Sequence, residues 1–322
     1  MTRHEFVSSL NSWGSSRKPF LFIADFELQK PLAFLLDEIN PSEILYDING
    51  VSNAPKATGN KHEITSRKVI SFEDYQKKFS HVARRLARGD SYLVNLTTKT
   101  EITLSQSLLD IFHSAKARYK LWLHDQCVVF SPECFIRIED GRIFSFPMKG
   151  TIDAAVPYAS DVILKNEKEL AEHVTIVDLI RNDLSQVASD VAVTRFRYLD
   201  ELKTNNKNLL QVSSEISGVL SDDYNHHLGD ILMKLLPAGS ISGAPKEMTI
   251  NIIRGAEMEN RGYYTGVFGY FDGYKLDSGV MIRYIEKDGS SFYYRSGGGI
   301  TTQSSAEKEY QEILDKVYVP VA

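Results

Sequence analysis

The sequence predicts an α+β protein, and three observations carry that expectation. Strand-like and helix-like stretches come in blocks rather than in strict alternation, which disfavours a doubly wound parallel sheet. Short apolar runs rich in β-branched and aromatic residues recur between positions 92 and 146. Two stretches, one from Ser160 and one from Ser305, carry apolar residues at three- and four-residue spacing, the period of a helix with one buried face.

Taken in order, residues 20–26 read as an opening strand, 31–39 as a helix and 44–46 as a second strand. Residues 53–63 are polar and turn-rich and read as a loop. Ser71 is placed to cap a helix running to about Ala87, with Asp74 at the capping-box position. Short strands follow at 92–97, 119–124, 128–130, 135–138 and 142–146. In the long helix from Ser160, Leu170, Val174, Val177 and Leu184 share one stripe. A helix near 228–236 leads into a Pro- and Gly-rich turn ending at Lys246, where Pro245 suits the first position of a helix that stops around Gly255. Strands at 266–271, 278–285 and 291–295 precede a last helix at about 305–317.

The composition excludes several classes. With 322 residues, 43% hydrophobic and 25% charged, the chain is an ordinary globular one, long enough for two domains or one large one. A net charge of -5 with scattered basic residues gives no footprint for nucleic acid. No apolar stretch reaches the roughly 18 residues of a membrane span, and the first residues lack the apolar core of a signal peptide. Cys127 and Cys134 read as buried thiols, neither a disulfide framework nor a zinc site. The expectation is a soluble cytoplasmic protein.

Lys149, in Pro147-Met148-Lys149-Gly150-Thr151, is the strongest candidate for chemistry. A lysine amine titrates near ~10.4, so it acts as a nucleophile at neutral pH only where its surroundings lower that value. Glu169 and Glu172 lie one helical turn apart, and Glu309 and Glu312 repeat the spacing with Lys316 one turn further on. Like charges at that spacing repel, so a cation is their natural partner. Mg²⁺ prefers oxygen and usually takes only one or two protein carboxylates, so some of the four glutamates act through water. The Gly239-to-Lys246 turn, which holds Ser240, offers backbone N–H groups to an anion but lacks P-loop spacing. Arg295-Ser296-Gly297-Gly298-Gly299 ends a strand in three glycines and lets backbone approach a ligand closely. Arg283 is a candidate clamp for a second carboxylate. A metal, two anion sites and an amine nucleophile ask for a small dicarboxylate substrate.

These residues resemble those of the chorismate-utilising enzymes, most closely component I of the aminodeoxychorismate synthases. The resemblance runs from about Asp90 to Val317, through Gly89 to Thr97, Ser131-Pro132-Glu133, Pro147 to Thr151, Glu172 to Leu184, the Ser240-to-Lys246 turn, Arg261 to Tyr270, Asp277 to Arg283 and the stretch from Ser296 to Lys316. It implies a single large α+β domain of the anthranilate synthase component I type, a layered β-sandwich with helices packed outside. Residues 1–70 form a short amino-terminal part of that domain and 71–322 its chorismate-binding catalytic region.

The resemblance also implies that chorismate binds through Mg²⁺ held by Glu172, Glu309 and Glu312, with Glu169 close by. Arg283 and the backbone of Gly297, Gly298 and Gly299 hold the enolpyruvyl carboxylate beside Tyr264, and Ser240 and Lys316 also bind substrate. Lys149 attacks ring carbon C2 and expels the C4 hydroxyl; ammonia then enters at C4 and releases the lysine, giving 4-amino-4-deoxychorismate, a step toward para-aminobenzoate and folate. Anthranilate synthases generally carry alanine at the place of Lys149, and isochorismate and salicylate synthases use a lysine at the place of Leu93. Gln211 stands where the family usually has a histidine implicated as acid, and glutamine cannot titrate. His173 is a nearby alternative with a structural role the stronger expectation. Neither cysteine lies in a Gly-x-Cys-x-Gly turn, so a separate glutamine amidotransferase subunit is the implied source of ammonia. Two other readings stay open: anthranilate synthase component I, and a non-catalytic chorismate- or metal-binding subunit.

Overall fold

The computed structural model describes residues 1–55, 64–203 and 208–320. Among these residues the strands form two nine-stranded antiparallel sheets. The strand Phe20–Ala24 shows how one apolar run serves two cores. Phe20, Phe22 and Ala24 face a cluster shared with the helices, while Leu21 and Ile23 face a layer that Tyr46, Leu121 and Phe268 fill between the sheets. Both faces are buried, so the run is continuous rather than alternating. A third cluster covers the outer face of the second sheet, where Leu108, Ile111 and Phe112 of one short helix pack on Trp122, Val128 and Phe130. The result is the expected α+β sandwich with helices outside it.

Helix positions follow local chemistry. Ser71 accepts from the Asp74 N–H at 3.1 Å and opens the helix Phe72–Ala87, whose Tyr75, Phe79, Val82 and Leu86 are buried at helical spacing. The helix Arg3–Ser15, absent from the sequence reading, begins with a Thr2–Glu5 capping box and buries Phe6 and Leu10.

Several expectations change. The helix expected at 31–39 is the strand Leu32–Leu35, paired with Phe20–Ala24 and followed by a 3₁₀ turn. A short apolar run has no period that separates the two states, and the open sheet edge decided it. The long helix from Ser160 is two helices, Ala159–Leu164 and Glu167–Leu184, separated where the Asn166 side chain caps the second. Its buried line runs through His173, Ile176, Val177, Ile180 and Leu184, leaving Leu170 and Val174 exposed. The hairpin of Ser189–Lys203 and Asn208–Val219 has no counterpart in the sequence reading. Residues 56–63 of the expected loop lie outside the described residues.

The strand expected at 278–285 is two strands in different sheets, Leu276–Val280 and Tyr284–Asp288. The chain crosses between sheets at Met281, Ile282 and Arg283, and Arg283 takes a left-handed φ of 53° to do so. The three glycines, expected at a turn, continue the strand Ser291–Ile300, where Gly297, Gly298 and Gly299 pair with Thr97, Leu96 and Asn95.

Beneath that strand lies an ion pair with both side chains 1% exposed: Arg261 Nη2 meets Glu257 Oε1 at 2.7 Å and Nε meets Oε2 at 2.9 Å. Glu257 also accepts from the Thr97 N–H, and Arg261 donates to Asn95 O and Ile241 O. The pair therefore ties the strand Leu93–Leu104, through Asn95 and Thr97, to the turn at Ile241. Glu257→Ala leaves a guanidinium buried without its counter-charge, and the expected loss is about 3–5 kcal/mol of stability, read as a lowered urea midpoint at constant m-value. An unchanged midpoint contradicts this role.

Candidate active site

Lys149 belongs to the strand Met148–Asp153, which pairs with Asn208–Val219. The register slips between Met148↔Ser213 and Thr151↔Gln211, so Lys149 and Gly150 form a bulge. Gly150 supplies the left-handed φ of 79° that this step requires. Such bulges re-aim a side chain out of the strand alternation. Here Lys149 Nζ lies 3.5 Å from Glu172 Oε2 on the helix Glu167–Leu184.

The facing wall is the glycine strand, and its three glycines are needed for different reasons. A methyl group on Gly297 would come within 2.7 Å of Thr97 Cγ2 on the neighbouring strand. On Gly299 it would lie 3.3 Å from Lys149 Nζ, and on Gly298 it would lie 3.4 Å from Glu309 Oε2 and 3.7 Å from Glu312 Oε1. The last two glycines keep bare backbone between the amine and the carboxylates.

These walls enclose a cavity of about 500 Å³, and every site residue singled out in the sequence lines it: Lys149, Gln211, Ser240, Tyr264, Arg283, Gly297, Gly298, Gly299, Lys316, Glu169, Glu172, Glu309 and Glu312. A larger depression of about 680 Å³, between Trp122, Phe292 and Leu108 on the outer face of the second sheet, holds none of them.

Charge is distributed unevenly around the cavity. Lys316, which caps the last helix Ala306–Asp315, donates to Gly297 O at 2.8 Å and to Glu312 Oε1 at 2.6 Å, and burial lowers its amine from the ordinary lysine value. Ser304 donates to Glu309 Oε1 at 2.7 Å, which orients that carboxylate. Arg283 stacks its guanidinium 5.5 Å from the Tyr318 ring. Burial pushes the Tyr264 hydroxyl up to about 12, so it stays a neutral donor at pH 7.

Among the described residues no three His, Cys, Asp or Glu side chains converge closely enough to hold a metal unaided. The arrangement still suits Mg²⁺, which needs only one or two protein carboxylates beside waters and ligand oxygens. Glu309 and Glu312 flank the bare backbone at Gly298, the cradle a side chain would fill, and Glu172 and Glu169 line the same space from the other helix.

One residue gains a role that the sequence reading did not give it. Glu133, quoted within Ser131-Pro132-Glu133 but given no role, is a half-buried member of the cavity wall that accepts from Ser240 Oγ at 2.6 Å. Burial raises its carboxyl above the usual range, against the opposing pull of Ser240, Lys149, Arg283 and Lys316. The sequence signal was a carboxylate directly after Ser-Pro at the end of the strand Cys127–Ser131. His173 is fully buried and faces away from the cavity, with Nε2 2.6 Å from Ser214 Oγ and its ring edge-on to Phe196. Burial, with Arg197 and Lys149 nearby, lowers its imidazole to about 4. It is neutral at pH 7 and structural. Lys246, in the expected anion cradle, turns away to Asp183 at 2.9 Å.

Among the described residues no helix is long and apolar enough to cross a membrane. The chain matches the chorismate-binding enzyme family over residues 30–322. It is 50% identical over 320 residues to a Haemophilus influenzae protein described as an uncharacterized PabA-like protein, covering 99% of this chain and 98% of that one. It is 33% identical over 260 residues to aminodeoxychorismate synthase component 1 of Salmonella typhimurium, covering 76% of this chain and 56% of that longer one. The crystal structure of anthranilate synthase component I from Streptococcus pneumoniae superposes with a TM-score of 0.66 at 26% identity, over 78% of this chain and 58% of the other. A cavity lined by both cations and carboxylates sits within a family match that spans most of the sequence: this chain belongs to the family of chorismate-binding enzymes.

Proposed function

We propose that this chain aminates chorismate at C4 to give 4-amino-4-deoxychorismate, with ammonia delivered by a glutamine amidotransferase subunit. The observation that carries the reading is Lys149, an amine aimed by a bulge into a cavity that Glu133, Arg283 and Lys316 also line. Arg283 and Lys316 bind the substrate carboxylates, with the glycine backbone and Tyr264 alongside. Glu172, Glu309 and Glu312, with Glu169 close by, would hold Mg²⁺, which when bound supplies charge neutralisation at a substrate carboxylate.

The chemistry balances on this chain's own groups. The Lys149 amine forms a bond to C2, the two ring double bonds shift, and the C4–O bond breaks as Glu133 protonates the departing hydroxyl to water. Ammonia then bonds to C4, the double bonds shift back, and the C2–N bond breaks to return Lys149 as a free amine. The new ammonium gives its surplus proton to Glu133, which restores the starting state. The enolpyruvyl group at C3 takes no part and is retained. Gln211 lines the cavity but cannot exchange a proton, and Glu133 supplies what the usual histidine would.

Pure protein incubated with chorismate, Mg²⁺ and an ammonium salt is expected to give an amino-substituted product that keeps the enolpyruvyl group, identified by mass spectrometry. Glutamine alone is expected to give none. Anthranilate plus pyruvate points instead to the anthranilate synthase reaction, and intact chorismate in the presence of ammonium to a binding subunit.

A further inference from the structure

Ser240 lines the cavity, yet its hydroxyl is committed to Glu133 Oε1 at 2.6 Å. The turn that carries it is clamped from behind. Lys246 pairs with Asp183 at 2.9 Å and donates to Leu235 O at 2.7 Å, while Arg261 Nη1 donates to Ile241 O at 3.1 Å. A methyl on Gly239 would lie 2.8 Å from Asp183 Oδ2, and one on Gly243 would lie 1.9 Å from Leu93 O. So close a fit on both sides leaves the turn no room to carry Ser240 away from Glu133.

A carboxylic acid has two oxygens, and only one carries the proton. Building on the reading of Glu133 as proton donor, we propose that Ser240 is a positioning residue that acts on Glu133: by donating to Oε1, it leaves Oε2 as the oxygen that carries the transferred proton. The cations acting on Glu133 are Lys149 on the bulged strand, Arg283 at the sheet crossover and Lys316 at the end of the last helix, and the Asp183 carboxyl shares a small pocket with Glu133 and Ser240 from the helix Glu167–Leu184. Arg283 and Lys316 cannot accept a proton from a carboxylic acid while charged, and the Lys149 amine spends its lone pair on the bond to C2. Ser240 is thus the neutral partner that selects between the two oxygens. Its hydrogen bond also favours the carboxylate, so its removal moves the Glu133 titration upward.

The test is a carbon NMR titration of protein labelled at the glutamate carboxyls, in the native chain, Ser240→Ala and Ser240→Thr, with Glu133 assigned as the resonance missing from Glu133→Gln. The midpoint in Ser240→Ala is expected to rise by on the order of one pH unit, and threonine, which keeps the hydroxyl, to restore it. In steady state Ser240→Ala is expected to lower kcat with little change in KM and to move the basic limb of kcat to higher pH. An unmoved Glu133 midpoint overturns the inference. So does a raised KM with kcat and its pH profile intact, which assigns Ser240 to substrate binding. The titration needs no turnover, so a protein inert toward chorismate defeats the functional reading and still leaves this one decided.

Discussion

Replacing Lys149 with alanine is expected to abolish amination, lowering kcat on the order of 10³-fold or more. The size follows from the role: without the amine, one difficult displacement is no longer divided into two easier ones. A purely electrostatic role predicts far less. The contact with Glu172 is long, at 3.5 Å, and the lysine side chain is 25% exposed, so the pair contributes at most about 1 kcal/mol after solvent screening. Stability should therefore be nearly unchanged while activity disappears, a split that melting and rate measurements on one preparation reveal. Lys149→Arg is expected to fail as completely, because a guanidinium keeps its charge and does not become a nucleophile. Substantial turnover in either variant contradicts the proposal.

Glu133→Gln is expected to lower kcat by about 10²- to 10⁴-fold, the usual range for a general acid. Glutamine is near in shape and still accepts from Ser240, so the loss isolates the proton. The pH dependence has a definite sign. Burial raises the Glu133 carboxyl, so the acid form persists to higher pH than on an exposed chain, and activity is lost as pH climbs through the raised value. That basic limb should vanish in the variant. Stability changes with pH in the same direction. A carboxyl raised in the folded state contributes stability that is present below its unfolded value near ~4.3 and lost as pH rises through the folded one. Above that window the native protein holds an unfavourable, partly desolvated carboxylate, so Glu133→Gln is expected to melt at the same or higher temperature at neutral pH. A variant both slow and unstable would mean that Glu133 is structural.

The sequence made the site more legible than the scaffold. Lys149, the two glutamate pairs and the glycine run were readable because their residue types and spacing are chemically unusual, and all of them line one cavity. The scaffold depends on long-range pairing that no local pattern encodes. The strand Leu32–Leu35 exists because Phe20–Ala24 offers it an edge, and Arg283 reaches the cavity because the chain changes sheets just before it. The three glycines were legible as a close approach of backbone but not as a strand, since their partner residues lie some two hundred positions earlier. Glu133 escaped for a related reason. Its significance lies in burial and in Ser240, which only the folded chain supplies. The helix from Ser160 misled differently: Leu170 and Val174 fit the expected stripe by spacing, yet the helix turns His173 and Ile176 inward instead.

The most direct test of the account is the intact mass of the protein incubated with chorismate and Mg²⁺ in the absence of a nitrogen source. The expected result is a covalent adduct of chorismate less one water, mapped to the peptide carrying Lys149, that disappears when ammonium is added. The same adduct in Lys149→Ala, or its attachment to another residue, would contradict covalent catalysis by Lys149.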